Sequence, residues 1–77
     1  MSYGYSLRLV QLNRDADSSN LGVRLGRLCI AHDISVAEVA RRCNVSRVTV
    51  YNWFSGVTAP KTSKLEAIKK FIETITA

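Results

Sequence analysis

The stretch at residues 35–56, SVAEVARRCNVSRVTVYNWFSG, has the pattern of two short helices joined by a tight turn. Ser35 and Glu38 have the spacing of a capping box, which marks the start of the first helix. Asn44 tolerates the left-handed conformation that ends a helix, and Ser46 is a good N-cap for the next one. Because the connection is so short, the two helices have to cross steeply, and this constrains the fold more than any other feature.

The residues at this predicted crossing have the sizes that a tight corner requires. A small side chain is needed where the helices meet, and Ala40 stands there. A larger side chain would push the second helix away. Apolar residues occupy the inward positions around the corner, namely Val39, Cys43, Val45, Val50 and Trp53. Size, turn chemistry and periodicity therefore agree on a helix-turn-helix.

Apolar residues at helical spacing predict one helix before this motif and one after it. The first spans residues 21–31, with Ser19 or Asn20 as its N-cap, and its two glycines imply the close approach of another helix. The last spans residues 63–75 and begins with a second capping box, SKLE. The body of the chain is therefore predicted to be helical.

The N-terminal segment has a different, alternating pattern. Tyrosine and leucine residues recur at every second position over residues 3–12, which predicts a strand, although no later segment reads as its partner. Three outcomes are open: pairing with the same segment of a second subunit, which we favour, packing as an extended arm, or disorder. Residues 1–18 are thus interpreted as an arm or strand with a polar linker, and residues 19–77 as the helical domain.

Composition and charge narrow the class of partner. The 77 residues suffice for one domain, and a net charge of +5 favours a polyanion, either nucleic acid or an anionic membrane surface. No apolar run approaches the roughly 20 residues that span a bilayer. Residues 1–20 lack the pattern of a signal peptide, so we expect a cytoplasmic protein without a membrane partner.

Catalytic and metal sites are not expected. One histidine, His32, and the lack of a phosphate-cradling glycine loop leave no nucleophile with an obvious base, so we expect no enzyme activity. Cys29 and Cys43 have too few partners for a zinc site. Both lie on apolar helix faces, which favours buried free thiols over a disulfide. No cofactor and no small-molecule ligand are indicated.

From Leu21 to Ile72 the chain resembles the Cro and lambda-repressor-like family of helix-turn-helix regulators, also called the XRE family. The resemblance lies in ISVAEVA at residues 34–40, the NVS turn, VYNW at residues 50–53, and the Ser55-Gly56 pair. It implies an all-α, compact bundle of four or five helices. It also implies binding of double-stranded DNA, with residues 46–55 as the recognition helix in the major groove.

The resemblance also implies which side chains contact DNA. The residues placed at base edges are Ser46, Arg47, Val48, Tyr51 and Asn52. Arginine can donate two hydrogen bonds to guanine, asparagine can bridge adenine, and valine suits a thymine methyl group. The residues expected at phosphates are Thr58, Lys61 and Lys64, and Arg41 and Arg42 are either phosphate contacts or a solvated face.

Two departures from the family pattern stand out. Members commonly carry glutamine where this chain has Val36, and many pair an arginine with a glutamate where it has Cys29 and Phe54. Because both members of that pair are apolar here, no unpaired charge is left behind.

Two questions about partners stay open from the sequence. The family implies a small repressor of phage or mobile-element type that binds as a homodimer. The alternative is a protein-interaction module, antitoxin-like or polymerase-binding, on the same fold. The N-terminal segment is either the dimer interface or an arm that carries Arg8 and Arg14 into the minor groove.

Overall fold

The computed structural model describes residues 5–77, and within them the chain is an all-α bundle of five helices with no strand. The helices are α1 (Leu7–Asp15), α2 (Leu21–Ala31), α3 (Val36–Cys43), α4 (Arg47–Ser55) and α5 (Thr62–Thr76). The predicted all-α, four- to five-helix architecture is confirmed. Helix α2 lies centrally, in contact with α1, α4 and α5.

The strand predicted over residues 3–12 is wrong wherever the structure describes that range, because residues 7–15 form α1. Tyr3 and Gly4 lie outside the described residues. Tyr5, Leu9 and Asn13 are four residues apart and all buried, so they form the inner face of a helix that packs into the core. Because Asn13 is polar, the sequence pattern did not reveal this helical spacing. The alternative prediction of an extended arm is wrong for the same residues.

Serine and asparagine side chains begin most of the helices. The side-chain oxygens of Ser6, Asn20, Ser35 and Ser46 each accept a hydrogen bond from an amide in the first turn of the helix that follows. Helix α5 has no such cap, and the capping box predicted at Ser63 is wrong. Lys61 is the last extended residue and α5 begins at Thr62, so Ser63 falls inside the first turn of the helix.

The helix-turn-helix corner forms as predicted. Asn44 is the C-cap of α3 in the left-handed conformation, with φ 56° and ψ 51°. The amide of Val45 donates to the carbonyl of Ala40 at 3.0 Å, which closes the turn beneath the start of α4. Ala40 is buried at the crossing, as its size requires. Gly56 ends α4 with φ 80°.

The glycines of α2 allow α1 and α4 to approach it closely, as predicted. A Cβ atom at Gly22 would lie 2.7 Å from the Cβ atom of Trp53. At Gly26 it would lie 2.6 Å from Nδ2 of Asn13 and 2.8 Å from Cγ of Phe54. Side chains of α1 and α4 that pack directly on the α2 backbone therefore explain why a helix-weakening residue occurs twice in α2.

Two cysteines lie in the core as free thiols, as predicted. Cys29 and Phe54 are both fully buried in the same hydrophobic cluster, so the two positions where the family pairs an arginine with a glutamate form part of one apolar core. Burial raises the pKa of the Cys29 thiol to about 12 and also raises the pKa of Cys43. Both thiols are therefore protonated at neutral pH.

Candidate nucleic-acid interface

Helix α4 has one buried and one exposed face. Val50, Trp53 and Phe54 point into the core, whereas Val48 is 66% exposed and Tyr51 is 46% exposed. Large apolar side chains on an outer surface are informative when they lie together with polar ones. Here they share the face with three polar residues of the predicted site, Ser46, Arg47 and Asn52.

Ser46 has a local structural role besides its predicted contact with DNA. Its Oγ accepts a hydrogen bond from the amide of Thr49 at 3.2 Å and lies 3.0 Å from Oγ1 of Thr49. The hydroxyl is therefore held at the N-terminus of α4, where it caps the helix. Thr49 itself was not among the predicted site residues.

A cleft of about 250 Å³ runs along one side of α4. Arg47 and Tyr51 form its α4 wall, and Tyr5 and Ser6 from the start of α1 face them. The first residues of α3 form its end, including Ser35 and Ala37. The contribution of this N-terminal part of the chain was not predicted, because the sequence pattern indicated a strand there.

A larger cleft of about 410 Å³ runs along the other side of α4. It brings together Asn52 and three of the five residues predicted to contact phosphates, Thr58, Lys61 and Lys64. Thr49 and Ser63 also line this cleft and add two hydroxyl groups that were not predicted. The cleft thus combines two ammonium groups with neutral hydrogen-bond donors, a combination that suits phosphate oxygens.

Two details orient the charges in this larger cleft. Nζ of Lys64 donates to the carbonyl of Asn44 at 3.4 Å, which places the ammonium group at the end of α3. Lys61 occupies the N-cap position of α5. Without a side-chain cap, the first amides of α5 add partial positive charge to that of the lysines.

Arg41 and Arg42 do not join this cleft. Both donate to the carboxylate of Glu38, at 2.6 Å and 3.1 Å. In a complete capping box this carboxylate would instead accept from the amide of Ser35. The hydrogen bonds from Arg41 and Arg42 lower the pKa of the Glu38 carboxyl group. The guanidinium carbon of Arg42 also lies 5.1 Å from the centre of the Phe71 ring, which turns it towards α5.

Other kinds of site are not seen in the part of the chain that the structure describes. Among residues 5–77, no group of three or more His, Cys, Asp or Glu side chains is arranged to hold a metal ion. None of the helices described here has both the length and the apolar character needed to cross a membrane.

Comparison with known protein families gives one match. A helix-turn-helix family model, HTH_3, matches residues 24–74, which is most of the chain. The matched residues include α3, α4 and both clefts' α4 walls, whereas α1 lies outside them. No curated protein and no solved structure was found to match the chain.

Proposed function

The chain belongs to the Cro/C1-type helix-turn-helix family of DNA-binding regulators, the XRE family, and on this premise we propose that it is a small transcriptional repressor that recognises a specific double-stranded DNA sequence. Residues 46–55 act as the recognition helix in the major groove. The observation that carries this proposal is the outer face of α4, where exposed polar and apolar side chains lie between two clefts. Its phage or mobile-element origin is proposed from the family resemblance alone.

Base recognition is assigned to the exposed face of α4. Arg47 donates two hydrogen bonds to O6 and N7 of guanine, and Asn52 bridges N6 and N7 of adenine. Val48 contacts a thymine methyl group. Ser46 and Tyr51 flank these residues and contact neighbouring bases. The Ser46 hydroxyl caps α4 with one acceptor lone pair, which leaves further hydrogen-bonding capacity for a base.

Backbone recognition is assigned to the larger cleft. Thr58, Lys61 and Lys64 bind phosphate oxygens there, supported by the first amides of α5. Arg41 and Arg42 bind a more distant phosphate, which has to compete with Glu38 for them. Because Arg41 is 71% exposed, this competition takes place in water and costs little.

We also propose that two copies bind adjacent half-sites. The described part of one copy measures 29 × 24 × 21 Å. Half-sites one DNA turn apart are separated by about 34 Å, so two copies fit side by side on one face of the duplex. Cytoplasmic location follows from this role, in the host cytoplasm if the gene belongs to a phage.

Selection of duplex DNA from a random library at low salt tests the proposal. We expect one enriched sequence with two-fold symmetry, bound by two copies. Arg47→Ala should reduce affinity for the selected site and relax the preference at one base pair, since a bidentate pair discriminates by about 1–3 kcal/mol. Lys69→Ala, which removes one charge from an exposed position outside both clefts, is the control.

The alternative function is a protein-interaction module on the same fold, antitoxin-like or polymerase-binding. The exposed Val48 and Tyr51 favour it, because apolar side chains at the centre of a surface also suit a protein partner. This alternative predicts that the library yields no enriched sequence. Such a result would refute sequence-specific DNA recognition.

A further inference from the structure

We infer that α1 positions the recognition helix, with Asn13 and Tyr5 as the positioning residues. Helix α1 lies outside the residues that match the family, so nothing about the family assigns it this role. The consequence for DNA affinity rests on the proposed function. The mechanical part of the inference is that α1 holds α4 in place, and it depends only on contacts within the chain.

Asn13 is the polar residue that joins three helices. It is 2% exposed, and its Nδ2 donates to the carbonyl of Phe54 at 2.7 Å and to the carbonyl of Val23 at 3.1 Å. The last carbonyls of a helix have no partner within it, and that of Phe54 belongs to the final turn of α4. Asn13 therefore caps α4 from a different helix and ties it to α2.

Tyr5 contacts the same residue of α4 through its side chain. The rings of Tyr5 and Phe54 are stacked, with centroids 6.2 Å apart and planes at 27°. The hydroxyl of Tyr5 donates to the carbonyl of Ile34, in the segment that leads into α3. Helix α1 and the residue just before it thus hold Phe54 of α4 at its carbonyl and at its ring, and Tyr5 also reaches the segment before α3.

Helix α1 is itself fixed to the central helix. Nη2 of Arg27 donates to the carbonyls of Asn13, Arg14 and Ala16, at 3.3, 3.0 and 2.9 Å. These carbonyls lie at the C-terminal end of α1 and at its C-cap, where the carbonyl of Asn13 also accepts from the amide of Ala16. Arg27 therefore anchors α1 on α2, and α1 in turn holds α4.

Anchoring of this kind affects recognition because base readout depends on geometry. The side chains that read bases must be held within about 0.5 Å of the productive position. Without Asn13, the C-terminal turn of α4 loses an external hydrogen bond and is free to shift. Arg47 and Asn52 would then meet the base edges in several poses, and affinity would fall although neither residue has changed.

Amide hydrogen exchange of the free protein tests the mechanical part. For Asn13→Ala we expect the protection of the α4 amides to fall roughly tenfold more than that of the α5 amides, because one end of α4 opens locally. The control is Ile68→Val, which alters a fully buried residue of α5, a helix that packs on α2 and α3. It should not lower protection in α4 more than in α5. An equal loss in both helices for Asn13→Ala would overturn the inference.

Tyr5→Leu provides a second test if Asn13→Ala does not fold. It keeps an apolar side chain in the core but removes the ring that stacks on Phe54, together with the hydrogen bond to Ile34, so a selective loss of protection in α4 is again expected. No selective loss in either variant would contradict the role of α1.

DNA binding tests the functional part. At a temperature where both proteins are folded, Asn13→Ala should bind the selected site at least tenfold more weakly than the wild type. The dependence of affinity on salt should stay the same, because no phosphate contact is removed. Unchanged affinity would overturn the positioning role. If the wild type itself selects no DNA, the proposed function fails while the exchange result still decides whether α1 restrains α4.

Discussion

Replacing Gly26 with alanine gives the most direct test of how closely the helices pack. In most helices, glycine to alanine is a stabilising change of about 1 kcal/mol, because alanine has the higher helix propensity. Gly26 is different, since the added methyl group would lie 2.6 Å from Nδ2 of Asn13 and 2.8 Å from Cγ of Phe54. Neither neighbour is free to move away, because Asn13 donates two hydrogen bonds and Phe54 is fully buried.

The expected cost exceeds the gain in propensity. Overpacking of a core costs about 1–3 kcal/mol. If the amide of Asn13 is displaced instead, the carbonyls of Val23 and Phe54 lose their donor, at about 1–3 kcal/mol for a buried group left unpaired. With about 1 kcal/mol of propensity returned, we expect Gly26→Ala to destabilise the protein by about 1 kcal/mol. For a domain of this size, that lowers Tm by roughly 4–8 °C.

Urea denaturation followed by circular dichroism measures this change, and a double-mutant cycle identifies its cause. Asn13→Ala removes the nearest clashing atom, so Gly26→Ala should cost less in that background than in the wild type. A purely additive pair would mean that Asn13 is not the obstacle. Any stabilisation by Gly26→Ala alone would show that α1 and α4 do not approach α2 as closely as described.

The remaining predictions concern the turn, the core thiols and the larger cleft. Asn44→Ala should cost about 1 kcal/mol or more in urea denaturation, because alanine is strained in the left-handed conformation, whereas Asn44→Gly should be nearly neutral. The thiol of Cys29 should resist alkylation at pH 8 in the folded protein and react once urea unfolds it. Its pKa in the folded protein lies above its unfolded value of 9.0, so the unfolded state loses the proton first as the pH rises. The urea midpoint should therefore fall between pH 9 and pH 12, and this fall should be smaller in Cys29→Ala. Lys61→Ala and Lys64→Ala should each lower the slope of log affinity against log salt by about 1, with Lys69→Ala as the matched control.

The helix-turn-helix unit could be predicted from the sequence because its signals are local. Ser35, Asn44 and Ser46 each act on backbone groups within a few residues, so their roles follow from spacing alone. The exposed face of α4 follows equally well, since Val50 and Trp53 have to point inward and thereby set the orientation of the rest.

Helix α1 could not be predicted in this way because its determinants are distant in sequence. Asn13 is buried only because it donates to the carbonyl of Phe54, 41 residues away. A sequence pattern counts such a residue as polar and exposed, which leaves the alternating tyrosines and leucines as the stronger signal. The far wall of the smaller cleft was missed for a related reason, since it comes from Tyr5, Ser6 and Leu9.

The long separation between Asn13 and Phe54 has a consequence for how the protein forms during synthesis. Helix α1 has only nine residues, too few to be stable alone in water. It leaves the ribosome before the other four helices but has to wait for the 41 further residues that bring Phe54 within reach. At usual elongation rates this takes about 2–8 seconds. Until then α1 has no complete docking site, so the last turn of the recognition helix completes the packing of a helix that was synthesised well before it.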